Sequence, residues 1–386
     1  MSIARASVPD LIPFIDLGAQ RQSLGQAVDE AILRVLDHGA YIMGPEVARL
    51  EGDLSAFCGA KHTISCSSGT DALALVLMAK NVKAGDAVFC PAFTFAATAE
   101  AIAGRGATPV FVDICEDTFN LDVSSLRSAL LVAKDKGLNP VGVIAVDLFG
   151  QPADYDPIET VAANEGLWLV CDAAQSFGAS YKQRQVGTIG LATATSFFPA
   201  KPLGCYGDGG AVFTDNAELA EIIRSLRLHG QGADRYDNVR VGMNGRLDTL
   251  QAAVLIEKLK IFPGEIIARN HVAKRYNEQL EDIALVPTVL EGTTSVWAQY
   301  TLRLPGCDRK AFQSSLAAAG IPTAIYYPTP LHRQAAYRHF PTAWDGLPVS
   351  DRLAAEVISL PMHPYLREEV QDQITAAVRT VVAAQA

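Results

Sequence analysis

From residue 25 to 255 the apolar positions of the chain switch repeatedly between two spacings. Val28, Ile32 and Leu36 step by four, as do Leu50 and Leu54, which predicts two early amphipathic helices. Short apolar-rich runs follow at 63–66, 87–90, 109–112, 141–146 and 167–171, with longer helical windows between them. Runs that are apolar on both faces, alternating with helices, predict a mostly parallel sheet covered on both sides. A sheet of that kind takes its ligands beyond the carboxyl ends of its strands.

After about residue 256 the texture changes. A charged helical window at 265–281 leads to a predicted strand at 297–303 and a helix at 309–319 closed by Gly320. Prolines at 322, 328, 330, 341, 348, 361 and 364 then cut the tail into short elements. The expected organisation is a large sheet domain at 1–255 and a smaller α+β domain at 256–386. No repeat or low-complexity segment interrupts it.

Composition narrows the function classes. Of the 386 residues 49% are apolar and 19% charged, which excludes disordered and coiled-coil classes and leaves material for two cores. Ten more acidic than basic residues (42 against 32) argue against a general binder of nucleic-acid backbone. Seven scattered cysteines without a C-x-x-C pair read as small buried hydrophobes in a reducing compartment, with no zinc or other metal site. Residues 1–10 lack the apolar core of a signal peptide, and no apolar stretch nears the ~20 residues of a membrane span. The expectation is a soluble cytoplasmic protein.

No G-x-x-x-x-G-K-[ST], G-x-G-x-x-G or H-E-x-x-H motif is present, so P-loop, dinucleotide-binding and zinc-protease readings lack support. Three other features carry chemistry. Ser68, Gly69, Thr70 and Asp71 stand at a strand-to-helix transition, where hydroxyls and helix N–H groups can cradle a phosphate or simply cap the helix. Asp172 ends the apolar run at 167–171, where a carboxylate can cap the next helix or pair with a protonated ring nitrogen. Lys201 sits among Phe197, Phe198, Pro199 and Leu203, and burial of an amine disfavours its ammonium form and frees it for Schiff-base chemistry. In that order, the three suggest a pyridoxal phosphate (PLP) enzyme of fold type I, the aspartate aminotransferase-like fold.

The chain also closely resembles the DegT/DnrJ/EryC1/StrS family of nucleotide-sugar aminotransferases. The resemblance runs from Phe14-Ile15-Asp16-Leu17 to Ser359-Leu360-Pro361-Met362-His363-Pro364. It passes through Gly44-Pro45-Glu46, Ser68-Gly69-Thr70-Asp71, Phe93-Thr94-Phe95, Asp172-Ala173-Ala174-Gln175-Ser176, Ser196-Phe197-Phe198-Pro199-Ala200-Lys201, Asn244-Gly245-Arg246 and Tyr327-Pro328. The run from Lys201 to Gly210, with Arg240-Val241-Gly242 and the residues 246–251, is most similar to the branch acting on UDP-2-acetamido-2-deoxy-3-oxo-glucuronate in O-antigen and lipopolysaccharide sugar synthesis.

The resemblance implies roles. Lys201 would carry the Schiff base to PLP and move the proton, and Asp172 would hold the ring nitrogen; these are the candidate catalytic residues. Phe95 would stack on the ring and Gln175 would bond its phenolic oxygen. Gly69, Thr70 and Ser196 would hold the phosphate, joined by Asn244 from a second subunit, which makes a homodimer the minimum unit. Arg246 would meet the sugar carboxylate or a nucleotide phosphate, or else be a surface ion pair; Tyr327 and His229 are further substrate candidates. Tyr326 departs from the family's His-Tyr-Pro run, while Lys201 departs from the dehydrating members, which carry His there. The expected activity moves an amino group from L-glutamate to the 3-keto carbon of a UDP-linked N-acetyl glucuronic acid derivative. The alternatives are a 4-keto nucleotide sugar as acceptor, or a silent regulatory protein on the same fold.

Overall fold

The computed structural model describes residues 12–234 and 236–385, so the signal-peptide reading of residues 1–10 falls outside it. Strands β1 (His62–Cys66), β2 (Asp86–Pro91), β3 (Thr108–Val112), β4 (Asn139–Val146) and β5 (Trp168–Asp172) form where the apolar runs predict them. A small hairpin, β6 (Ser180–Tyr181) and β7 (Arg184–Gln185), precedes β8 (Ala192–Ser196) and β9 (Gly210–Thr214). β10 (Thr293–Thr294) pairs with β6, and β11 (Tyr300–Arg303) pairs antiparallel with β12 (Val357–Leu360).

Among the described residues seven strands make one sheet in the order β1-β9-β8-β5-β4-β2-β3. All neighbours are parallel except β9, which runs against both β1 and β8. All five β9 residues are buried, and they divide between the two faces: Val212 joins a core with Ile64 and Leu73, whereas Ala211 and Phe213 join one with Leu50, Leu54 and Phe262. Both faces are therefore covered, which explains why these strands read as unbroken apolar runs. The fold is α/β with a large, mostly parallel sheet, as fold type I requires.

The edge strand β3 is closed by the tail of the chain. Phe111 N–H donates to the Pro341 carbonyl at 2.9 Å, and Ala343 N–H donates to the Phe111 carbonyl at 3.0 Å. Covering the β3 edge in this way leaves it no open row of backbone groups for another chain to pair with.

A continuous 32-residue helix, Thr249–Leu280, links the two cores. Its first half contributes Leu255 and Ile256 to the sheet's core. Its second half contributes Val272, Tyr276 and Leu280 to a separate core with β11, β12 and the helix Glu368–Ala383. The boundary drawn at 255/256 lies within this helix, and Pro263 sits inside it, giving up one backbone donor without ending it. The predicted strand at 297–303 begins only at Tyr300, because Trp297 has φ 49° and stands outside the extended region. The predicted helix at 309–319 is Arg309–Ala318, with Gly320 at φ 76° beyond it. Five cysteines are buried and two partly so, all with free thiols.

Candidate active site

The turn from β1 into the helix Gly69–Ala79 brings backbone donors to the carboxyl end of the sheet. Ser68 caps this helix, its Oγ accepting from Asp71 N–H at 3.0 Å, so the capping alternative holds for that one hydroxyl. Gly69 stands against the end of β8: a Cβ there would lie 2.6 Å from the Ser196 Cβ. Only glycine lets the helix N-terminus, with its unpartnered first N–H groups, approach Ser196 this closely. Gly69, Thr70 and Ser196 thus form a small polar cup suited to a phosphate.

Asp172 closes β5 and is 5% exposed. Its Oδ2 accepts from Thr98 Oγ1 at 2.8 Å and its Oδ1 from Ala174 N–H at 3.3 Å. Burial pushes the carboxyl pKa up; the Thr98 bond, the Ala174 N–H and the Lys201 charge oppose that rise. For the Lys201 amine the order is reversed, with burial pushing its pKa down and Asp172 opposing. Both groups are therefore held closer to neutrality than in water.

The Lys201 loop is fixed by its backbone. Lys201 N–H donates to the Phe198 carbonyl at 2.8 Å, and Cys205 N–H to the Phe197 carbonyl at 2.7 Å. A Cβ on Gly204 would meet the Phe198 and Pro199 carbonyls at 2.5 and 2.6 Å, so the loop can close only on glycine. The Gly204 carbonyl in turn accepts from the buried Lys258 Nζ at 2.6 Å. Phe197 and Leu203 are buried as their apolar nature predicts, but Phe198 is 51% exposed at the cavity mouth.

Gly69, Thr70, Phe95, Asp172, Gln175, Ser196, Lys201 and Tyr327 all line one cavity of about 470 Å³. Gln175 accepts from Phe149 N–H at 2.7 Å and donates to the Tyr327 hydroxyl at 3.3 Å. Burial raises the Tyr327 phenol pKa, which keeps its proton in place. Arg246 and His229 instead line a second cavity of about 690 Å³ with Ile42 and Met43, and Asn244 is exposed. Within one protomer none of these three reaches the Lys201 cavity.

Two residues absent from the sequence reading also line it. Thr98 looks like any helical threonine, yet it bonds Asp172 and lies 3.2 Å from the Thr94 hydroxyl. Gln299 carries a buried Oε1 with no partner among the described residues; a lone polar residue before β11 was its only signal. Thr98→Val is expected to slow the chemistry that relies on Asp172 roughly 10- to 100-fold, since a hydrogen bond to a charged group is worth about 1.5–3 kcal/mol. Rapid-mixing absorbance would measure it, with Thr98→Ser restoring most of the rate; wild-type speed in the valine variant would leave Thr98 a packing residue.

A buried carboxylate, a desolvated amine and a polar cup in one cavity fit PLP, whose ring nitrogen, aldehyde and phosphate call for those three partners. The comparisons with known proteins agree. The family model for the DegT/DnrJ/EryC1/StrS aminotransferases matches residues 22–379. The UDP-2-acetamido-2-deoxy-3-oxo-D-glucuronate aminotransferase of Pseudomonas aeruginosa is 48% identical over 97% of this chain and 99% of its own. A crystal structure of an aminotransferase of this family from Brucella abortus is 50% identical, covering 95% of this chain and 98% of that one with a TM-score of 0.94. A Streptococcus pneumoniae structure described as a sugar aminotransferase in its PLP form is 26% identical, with TM-score 0.85 over 94% and 97% of the two chains.

Proposed function

The chain belongs to the DegT/DnrJ/EryC1/StrS aminotransferase family and is a PLP-dependent nucleotide-sugar aminotransferase; from that premise we propose that its acceptor is a UDP-linked 3-keto N-acetyl glucuronic acid derivative. The observation that carries the acceptor is the end-to-end similarity to the Pseudomonas aeruginosa enzyme named for that substrate. L-Glutamate is the proposed donor, the cytoplasm the proposed location, and O-antigen sugar synthesis the proposed setting. No helix among the described residues is long and apolar enough to cross a membrane.

Bound in the cavity, PLP supplies a ring that draws electrons from the carbon losing its proton. The roles proposed for the chain's own residues follow from their environments. Asp172, steadied by the Thr98 bond to its Oδ2, would hold a proton at the ring nitrogen. Lys201 Nζ, whose pKa burial lowers, would take a proton from the donor's α-carbon and later deliver one to the sugar carbon. Gly69, Thr70 and Ser196 would anchor the phosphate of PLP, Phe95 would cover its ring and Gln175 would meet its oxygen; all five line the cavity.

A homodimer accounts for the remaining residues. Asn244, Arg246 and His229 lie on a surface that also exposes Tyr41, Ile42 and Val241, at 48%, 49% and 91%. Exposed apolar side chains beside unused polar ones mark a surface that another chain covers. On this reading Asn244 reaches the partner's phosphate cup and Arg246 the partner's sugar. Arg246→Lys keeps the charge but loses the planar fork, so the keto-sugar half-reaction should weaken by about 1–3 kcal/mol while PLP is retained. The loss should shrink for an acceptor without the C6 carboxylate; equal losses in the glutamate half-reaction would instead make Arg246 a shared carboxylate site. For the acceptor itself, initial rates on matched 3-keto and 4-keto nucleotide sugars decide: the 3-keto glucuronate should lead at least tenfold, and a faster 4-keto sugar would refute the assignment.

A further inference from the structure

A third cavity, about 900 Å³, lies away from everything used so far. Thr108, the first residue of β3, lines it, whereas Asp172 and Ser196 are the last residues of β5 and β8, strands with the same direction. The two cavities therefore face opposite ends of the sheet. The walls are firm: the 341–343 segment is hydrogen-bonded to β3, and Trp344 N–H donates to Ser128 Oγ at 3.0 Å on the neighbouring helix Val123–Asp135.

The lining has a single sign of charge. It contains Lys136, Arg333 and Arg338 together with His332 and His339, and no aspartate or glutamate. In a chain with net charge -10, that concentration is not a sample of the average surface. Arg333 is committed to Asp351, with Nε to Oδ1 at 3.0 Å. Lys136 and Arg338 have no side-chain hydrogen bond or ion pair among the described residues. His332 is 9% exposed; its Nε2 lies 3.1 Å from Asp351 Oδ1, and its buried Nδ1 has no partner. Trp344 presents an indole that is 59% exposed, an unusual cost for a side chain of that size.

Unpaired cations beside an open aromatic face are the elements that hold a phosphate ester carrying a flat ring. We infer that this groove binds a nucleoside phosphate, with its phosphate on Lys136 and Arg338 and its base against the Trp344 indole. The site is separate from the Lys201 cavity and does not depend on which sugar that cavity accepts. A nucleoside phosphate bound there can report nucleotide supply to an enzyme whose substrates are nucleotide-linked.

The test is a fluorescence titration of the PLP-loaded enzyme with UMP. Trp344 is the exposed tryptophan, while Trp168 is half-buried and Trp297 is 7% exposed, so Trp344→Phe serves as the blank that removes the local reporter. Wild type should show saturable quenching that the blank lacks. In the Lys136→Ala, Arg338→Ala double variant the midpoint should rise at least tenfold, with PLP content unchanged because both side chains are exposed. Inorganic phosphate should need at least tenfold higher concentration than UMP. Absence of saturable quenching in wild type, an unchanged midpoint in the double variant, or inorganic phosphate matching UMP would each overturn the proposal.

Discussion

Replacing Lys201 with alanine is expected to leave a folded chain that holds PLP without a covalent bond and has no measurable turnover. The fold does not need the amine: its hydrophobic neighbours Phe197 and Leu203 are packed independently, and the loop is fixed by backbone bonds to Phe197 and Phe198 and by Lys258. What is lost is the one desolvated amine beside Asp172, and with it both the attachment and the proton carrier. Borohydride reduction followed by intact-mass measurement would detect a covalent adduct in wild type and none in the variant. Turnover within tenfold of wild type would remove Lys201 from the mechanism.

Asp172→Asn should be the second most damaging change. The amide preserves size and can still accept from Thr98, but it carries no charge to keep a proton on the ring nitrogen. The glutamate half-reaction should slow by roughly two to four orders of magnitude, while PLP affinity falls only modestly because Gly69, Thr70 and Ser196 are untouched. Single-turnover absorbance with glutamate separates the two effects. No helix follows β5, so the capping alternative falls, and an unchanged rate would leave Asp172 only its structural bonds to Thr98 and Ala174. The silent regulatory alternative predicts no spectral response to glutamate in wild type either, so the same experiment tests it.

The sheet was legible because its strands are buried on both faces, so that 87–90 or 167–171 could hardly be anything but interior strands. The antiparallel β9 was not, since Gly210–Thr214 is a short apolar run trailing a glycine-rich loop. Of the long helix only the second half, 265–281, is legible as a helical window. Its first half is buried on most sides and shows no clean period, and Pro263 suggests a break that packing overrides. Trp297 falls outside the strand because its backbone takes a positive φ, which a tryptophan gives no hint of.

Within the site, residues with a chemical signature were found: a carboxylate after an apolar strand, a lysine among aromatics and a glycine where a helix begins. Thr98 and Gln299 carried no such signature, because their importance comes from what the fold brings beside them. Asn244 and Arg246 belong to a family motif and His229 was a further candidate, yet all three lie outside the Lys201 cavity of their own protomer. Their proposed contribution depends on a second chain, a relation that local sequence cannot express.

The proposed amino transfer is tested by following the nitrogen atom. Wild-type enzyme with bound PLP is incubated with 15N-labelled L-glutamate and the UDP-linked 3-keto N-acetyl glucuronic acid, and the sugar nucleotide is examined by mass spectrometry and NMR. The expected product is a sugar amine at C3 that carries the label, formed together with 2-oxoglutarate in equal amount. A sugar nucleotide recovered unchanged, or aminated without the label, would contradict it.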